Sequence, residues 1–122
     1  MYKLIFSLRR KPGMSLEEFQ RYWRETHAPL VAERAETLGI RRYIQAHTGD
    51  LPDIHAALQA RNGGAPEPFD GVAEIWFDSL EGFASQDPAV QKAAADLFED
   101  EQRFIDHPNS PMLVAQENVV LS

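Results

Sequence analysis

The sequence predicts an α+β fold of the ferredoxin-like βαββαβ kind: a four-stranded antiparallel sheet with its helices on one face. Three observations predict it. Short apolar segments near residues 2–9, 40–48, 70–77 and 112–121 have the length and composition of strands, and helical stripes fill 16–38 and 88–107 between them. Their order is strand, helix, strand, strand, helix, strand. At 122 residues, with 43% apolar and 25% charged side chains, the chain suits a single domain, 1–122, with one core.

Tyr2 to Arg9 reads as the first strand, closed by the turn Arg10-Lys11-Pro12-Gly13. Ser15-Leu16-Glu17-Glu18 is a capping box that starts a helix near residue 16. Leu16, Phe19, Trp23 and His27 then recur at spacings of three and four, forming one inward stripe that ends in a histidine. Pro29 should stop or kink the helix at His27-Ala28-Pro29, pushing Ala28 out of the helical region. A second stretch, Leu30 to Leu38, closes at Gly39, and Ile40 to Thr48 forms the second strand. Gly49 to Phe69, rich in Gly and Pro, reads as a long mobile loop with one or two helical turns near Ile54 to Ala60. Asp70 to Phe77 is the clearest strand. Asp78 with Glu81 caps a short helix, and Asp87-Pro88 starts a longer one that ends near His107-Pro108. Met112 to Leu121 is the last strand, bulged at Gln116-Glu117-Asn118.

The strands are apolar at both parities: Leu4, Phe6 and Leu8 against Ile5, and Ala73, Ile75 and Phe77 against Val72 and Trp76. A sheet with one wet face alternates more cleanly, so both faces should be covered. Helices cover one. The economical cover for the other is a second copy, which makes a homodimer the expected state.

The net charge of −7 repels phosphate backbones and anionic lipid surfaces, so nucleic acid and membrane are not expected partners. No cysteine is present, which removes disulfides, thiolate nucleophiles and thiolate metal ligands and fits a reducing cytoplasm. The apolar start is too short for a signal peptide, and no run of 18 apolar residues occurs. Neither glycine-rich phosphate fingerprint appears, nor a haem-attachment motif, so no cofactor is expected. The histidines form no i, i+4 pair, so no metal site is expected.

Arg10-Lys11-Pro12-Gly13-Met14-Ser15, followed by Phe19, Tyr22-Trp23 and His27-Ala28-Pro29, and then Asp70-Gly71-Val72-Ala73-Glu74-Ile75-Trp76-Phe77, resembles the EthD domain family of the dimeric α+β barrel superfamily. The resemblance implies a homodimer whose sheets face each other as a dimeric α/β barrel, with an apolar cleft between sheet and helices in each subunit. The family takes its name from a protein encoded beside an ether-degrading oxygenase system, and the superfamily includes isomerases, polyketide cyclases and cofactor-free monooxygenases. The function it implies is acid/base proton transfer, of isomerase, cyclase or dehydratase type, on a small hydrophobic, aromatic or polyketide-like ligand. Two alternatives stand beside it: an oxygenase accessory or a cofactor-free or haem-assisted monooxygenase, and a non-catalytic carrier of a hydrophobic metabolite.

His27 is the first catalytic candidate, because it ends an apolar stripe beside a proline break and histidine is the side-chain type whose unperturbed charge change falls near neutrality. It reads equally as a helix-terminal histidine bonded to freed carbonyls. His47 shares strand parity with Tyr43 and Gln45, and Glu74 with Val72 and Trp76. Both complete the catalytic candidates if they face the cleft. The competing reading pairs Glu74 with Arg41 or Arg42. Tyr22, Trp23, Tyr43 and Trp76 are the candidate ligand contacts. His55 and His107 have solvent and helix-dipole explanations, and Glu99-Asp100-Glu101, with no histidine within a helical turn, reads as a solvated helix face.

Overall fold

A computed structural model describes residues 2–122. Strand β1 (Tyr2–Leu8) runs into the Pro12-Gly13 turn, and Ser15 caps α1 (Leu16–Tyr22). The capping box forms as expected: Glu18 N–H donates to Ser15 Oγ at 3.0 Å, and Ser15 N–H donates to the Glu18 carboxylate at 3.4 Å. The helix does not stop at Pro29. Trp23–His27 form a π turn, and α2 (Ala28–Leu38) continues from it to a left-handed cap at Gly39. Ala28 stays helical at φ −55° and ψ −44°, contrary to expectation. In a regular α-helix a proline ring strikes the carbonyl four residues back. The wider turn relieves that contact, and Ala28 N–H donates to Trp23 O, five residues back.

After β2 (Ile40–His47), the segment expected to be mostly loop carries a ten-residue helix, α3 (Pro52–Arg61). None of its residues is buried, and Leu51, Ile54 and Leu58 are all more than half exposed. With no packed face, the helix left no inward stripe for the sequence to show. β3 (Gly71–Phe77) leads to a 3-10 turn at Leu80–Ala84. Its cap is Ser79, whose Oγ accepts from Glu81 N–H, and not Asp78; Asp78 instead pairs with Arg41. Asp87 caps α4 (Pro88–Glu101) as expected, but the helix ends at Glu101 and not near His107. Phe104 and Ile105, which mimic a continuing helical face, are buried in the turn beyond it, where Ile105 bridges to Arg10. β4 (Met112–Gln116) is shorter than expected, and no bulge follows, because the chain leaves the sheet at Glu117.

The strand order is β2-β3-β1-β4, antiparallel throughout. This is the expected ferredoxin-like topology. Pairing of Phe6 with Ala73 and of Ala73 with Gln45 sets one face of the sheet: Leu4, Phe6, Leu8, Gly71, Ala73, Ile75, Tyr43, Gln45 and His47. The other face carries Lys3, Ile5, Val72, Glu74, Trp76, Arg42, Ile44 and Leu113. The core lies on the first face, where Phe6, Leu8 and Ala73 meet Phe19, Trp23, Phe104 and Ile105. Gly71 is required there: a Cβ would run into the Trp23 ring. No helix among the described residues is long and apolar enough to cross a membrane.

Candidate active site

Sheet and helices do not close completely on one another. Between them lies a cavity of about 250 Å³, walled by Phe6, Ala73 and Ile75 of the sheet, Val31 and Leu38 of α2 and Leu97 of α4. Four side chains give it polar character: His27, Tyr43, Ser79 and Glu101. Phe83, from the 3-10 turn, also lines it while 56% exposed and meets Phe77 edge-on at 5.1 Å.

His27 is 4% exposed and sits at the end of the π turn. Its Nδ1 lies 2.7 Å from Asp100 Oδ2. A carboxylate only accepts, so Nδ1 carries a proton, and in the neutral imidazole the lone pair is on Nε2. Nε2 is 4.0 Å from Glu101 Oε2, whose other oxygen lies 3.1 Å from His107 Nε2. Asp100 itself is 9% exposed and also accepts from the Tyr22 hydroxyl at 2.6 Å. That phenol is pushed up to about 12, by burial first and then by its bond to Asp100. Of the acidic run of α4, Glu99 is exposed as expected, whereas Asp100 and Glu101 are not part of a solvated face. Asp100 and Glu101 are close to His27 in space although they are far from it in sequence, a proximity that only the folded chain creates.

The other candidates separate. His47 is on the cavity side of the sheet, but its ring packs on Trp23 at 4.5 Å between centroids and its Nε2 meets Gln45 Oε1 at 2.8 Å, so it stands behind the wall and not in it. Burial, and then the Arg24 charge, hold its imidazole below the usual value. Glu74 is on the opposite face of the sheet from His27. It pairs there with Lys3 at 2.6 Å and not with Arg41 or Arg42, the partners weighed from sequence, and its bond is the main reason the Lys3 ammonium is raised. Parity put Glu74 and His47 on adjacent strands, but the register gives them opposite faces. Trp76 accompanies Glu74: its indole N–H donates to Glu117 at 2.9 Å, and Lys3 and Arg42 lie 4.9 and 4.8 Å from its ring. Of the four candidate ligand contacts, Trp23 and Tyr43 line the cavity, Tyr22 lies behind Asp100, and Trp76 is across the sheet. Sequence reading missed Asp100 and Glu101. The signal available was the position of the run at the C-terminal end of α4, the end that the ferredoxin-like order brings beside the first helix. Among the described residues, no group of three or more His, Asp or Glu side chains is placed to hold a metal ion.

A family model described as the EthD domain matches residues 11–108. The chain belongs to the EthD domain family. Among curated relatives it is 31% identical over 108 residues to the conidial pigment biosynthesis dehydratase EthD of Metarhizium robertsii, covering 86% of this chain and 74% of the relative. It is 29% identical over 108 residues to the dehydratase ustZ of Ustilaginoidea virens, with 86% and 75% coverage. Among solved structures it resembles an EthD family protein of Bacillus halodurans, with a TM-score of 0.60, 20% identity and coverage of 97% and 99% of the two chains. It also resembles a dimeric ferredoxin-like protein of unknown function from Bacteroides fragilis, with a TM-score of 0.56, 13% identity and 95% coverage of each.

Proposed function

We propose that this EthD domain protein is a dehydratase-type enzyme acting on a small aromatic or polyketide-like substrate by acid/base proton transfer, and that it works as a homodimer. The observation that carries the reading is the His27–Asp100 pair: a buried imidazole held by a carboxylate at Nδ1, with its Nε2 beside a second carboxylate, on a residue that lines an apolar cavity. His27 Nε2 removes a proton from carbon, the electron pair forms the new C=C bond, and the hydroxyl on the adjacent carbon leaves. The imidazolium protonates that hydroxyl so that water departs. Asp100 fixes the tautomer before the step and balances the imidazolium charge during it. The apolar walls keep bulk water away from the intermediate.

The relatives' names favour this proton-transfer reading over the oxygenase-accessory and monooxygenase readings. For the dimer, support comes from the sheet face opposite the cavity, where Ile5, Val72, Ile44 and Leu113 form an apolar ground around the Lys3–Glu74 pair, and from the dimeric solved relative. His27→Gln tests the chemistry. Turnover of β-hydroxy ketones of one or two rings, followed by loss of water in mass spectrometry, is expected to fall by on the order of 10² to 10⁴ in the variant. Equal turnover removes His27 from the mechanism; binding without turnover by the unaltered protein leaves the carrier reading.

A further inference from the structure

A second hydrogen-bonded chain reaches the cavity from the strand side, and its direction can be assigned. Trp23 O belongs to the backbone and can only accept. The Gln45 group 3.0 Å from it is therefore the amide nitrogen, which also donates to the Tyr43 hydroxyl oxygen at 2.9 Å. Gln45 Oε1 is left facing His47 Nε2, so that nitrogen carries the His47 proton, and His47 Nδ1 is a buried acceptor with no partner among the described residues. Every bond in the series thus runs one way, from His47 to Gln45 to Tyr43. Tyr43 receives at its oxygen, and among the described residues its own O–H donates to no acceptor. Tyr43, which ends the series, is one of the residues lining the cavity.

We infer that Tyr43 is the hydrogen-bond donor that binds a carbonyl oxygen of the substrate, with Gln45 as its positioning residue, so that the substrate class is a cyclic ketone bearing the departing hydroxyl on the β-carbon. This rests on the proton-transfer reading for the fate of the ketone, though not for its binding. A cavity whose walls are apolar has few groups able to fix a ligand's orientation, and a donor fed by its neighbours strengthens as charge grows on the acceptor. An imidazole removes a carbon-bound proton only when the resulting charge has somewhere to go. The carbonyl oxygen is that place, and the phenol meets it there. The phenol keeps the proton that donation requires, because burial raises it and the nearby Glu101 charge adds to this, against the opposing donation from Gln45 and Trp23.

The test uses two bicyclic probes of nearly equal shape, 1-tetralone and tetralin, with binding followed by quenching of tryptophan fluorescence and the tetralone carbonyl stretch followed by infrared difference spectroscopy. The full chain is expected to prefer the ketone about tenfold and to shift its stretch to lower frequency. Tyr43→Phe is expected to bind tetralin unchanged while losing both the preference and the shift. Gln45→Leu is expected to retain part of the shift. Persistence of the shift in Tyr43→Phe overturns the inference, as does failure of the unaltered protein to bind tetralone. Loss of both probes in the variant also overturns it, by assigning Tyr43 to the shape of the wall. His27→Gln is expected to keep the shift while losing turnover, so the proposed chemistry and this binding role fail separately.

Discussion

Carboxylates lie among apolar side chains on both sides of the sheet, Glu74 on its outer face and Asp100 and Glu101 on α4 over the other, and the two sets are in opposite circumstances. On the outer face Glu74 has a permanent cation 2.6 Å away, and a second carboxylate, Glu117, lies 3.5 Å from the same ammonium. On the helix side Asp100 and Glu101 have imidazoles and a phenol as their closest partners, and the one permanent cation near them, Arg103, stands farther off at 3.9 Å from Asp100. Imidazoles are cations on condition, and a carboxylate beside one can take part in proton traffic that a lysine would suppress. Nearness to oil does not make an acid reactive; the character of its closest partner does.

The largest way to break this contrast is to neutralise one carboxylate on each side of the sheet. Asp100→Asn offers one acceptor in place of two and no countercharge for the imidazolium, and it is expected to lower turnover on the order of 100-fold in steady-state assays. Glu74→Gln is expected to leave turnover within about twofold and to lower stability by about 1 kcal/mol in urea denaturation. A Glu74 variant as inactive as the Asp100 variant would erase the distinction between the faces.

A second test sharpens the outer face alone. Leu113 lies on β4 opposite Ile5 and is 54% exposed. Leu113→Asp puts a charge into the proposed dimer contact, and sedimentation is expected to show a folded monomer where the unaltered chain runs as a dimer. An unaltered chain that sediments as a monomer at micromolar concentration breaks the dimer proposal.

The smallest effect is spectroscopic. With its folded value near 12 against an ordinary value of 10, Tyr22 adds stability that is complete below about pH 10 and is lost as pH climbs through about 12. Ultraviolet titration should show a tyrosine ionising near pH 12 whose transition is lost in Tyr22→Phe, while Tyr43, which burial also holds above its ordinary value, still ionises late in that variant.

Much of the fold is legible in the sequence because local rules and tertiary packing agree in it. The Ser15 box, the Asp87 cap and the Gly39 stop all follow from residues that act on their immediate neighbours. α3 reads short because a helix with no buried face writes no stripe. α4 reads long because Phe104 and Ile105 continue the apolar period after the backbone has turned away. In the candidate site His27 is legible from its own helix, whereas its partners lie 73 and 74 positions on, beyond the reach of any spacing rule. Glu74 misleads for a related reason: parity within a strand says which residues share a face, and only the register between strands says which face that is. The outer face, too apolar by its sequence to stand alone, partly shields itself: Lys3, Arg42 and Glu117 gather around Trp76 and leave it 8% exposed.

Pro29 is exposed and lies outside the cavity, yet the widened turn before it accommodates its ring and leaves Trp23 O shared between Ala28 and Gln45. The orientation of the Gln45 amide, and through it the phenol of Tyr43, is thus coupled to a position on the solvent side of the protein. A substitution at that outer position therefore bears on the bond that Gln45 makes to Tyr43 while every wall of the chamber keeps its own residue.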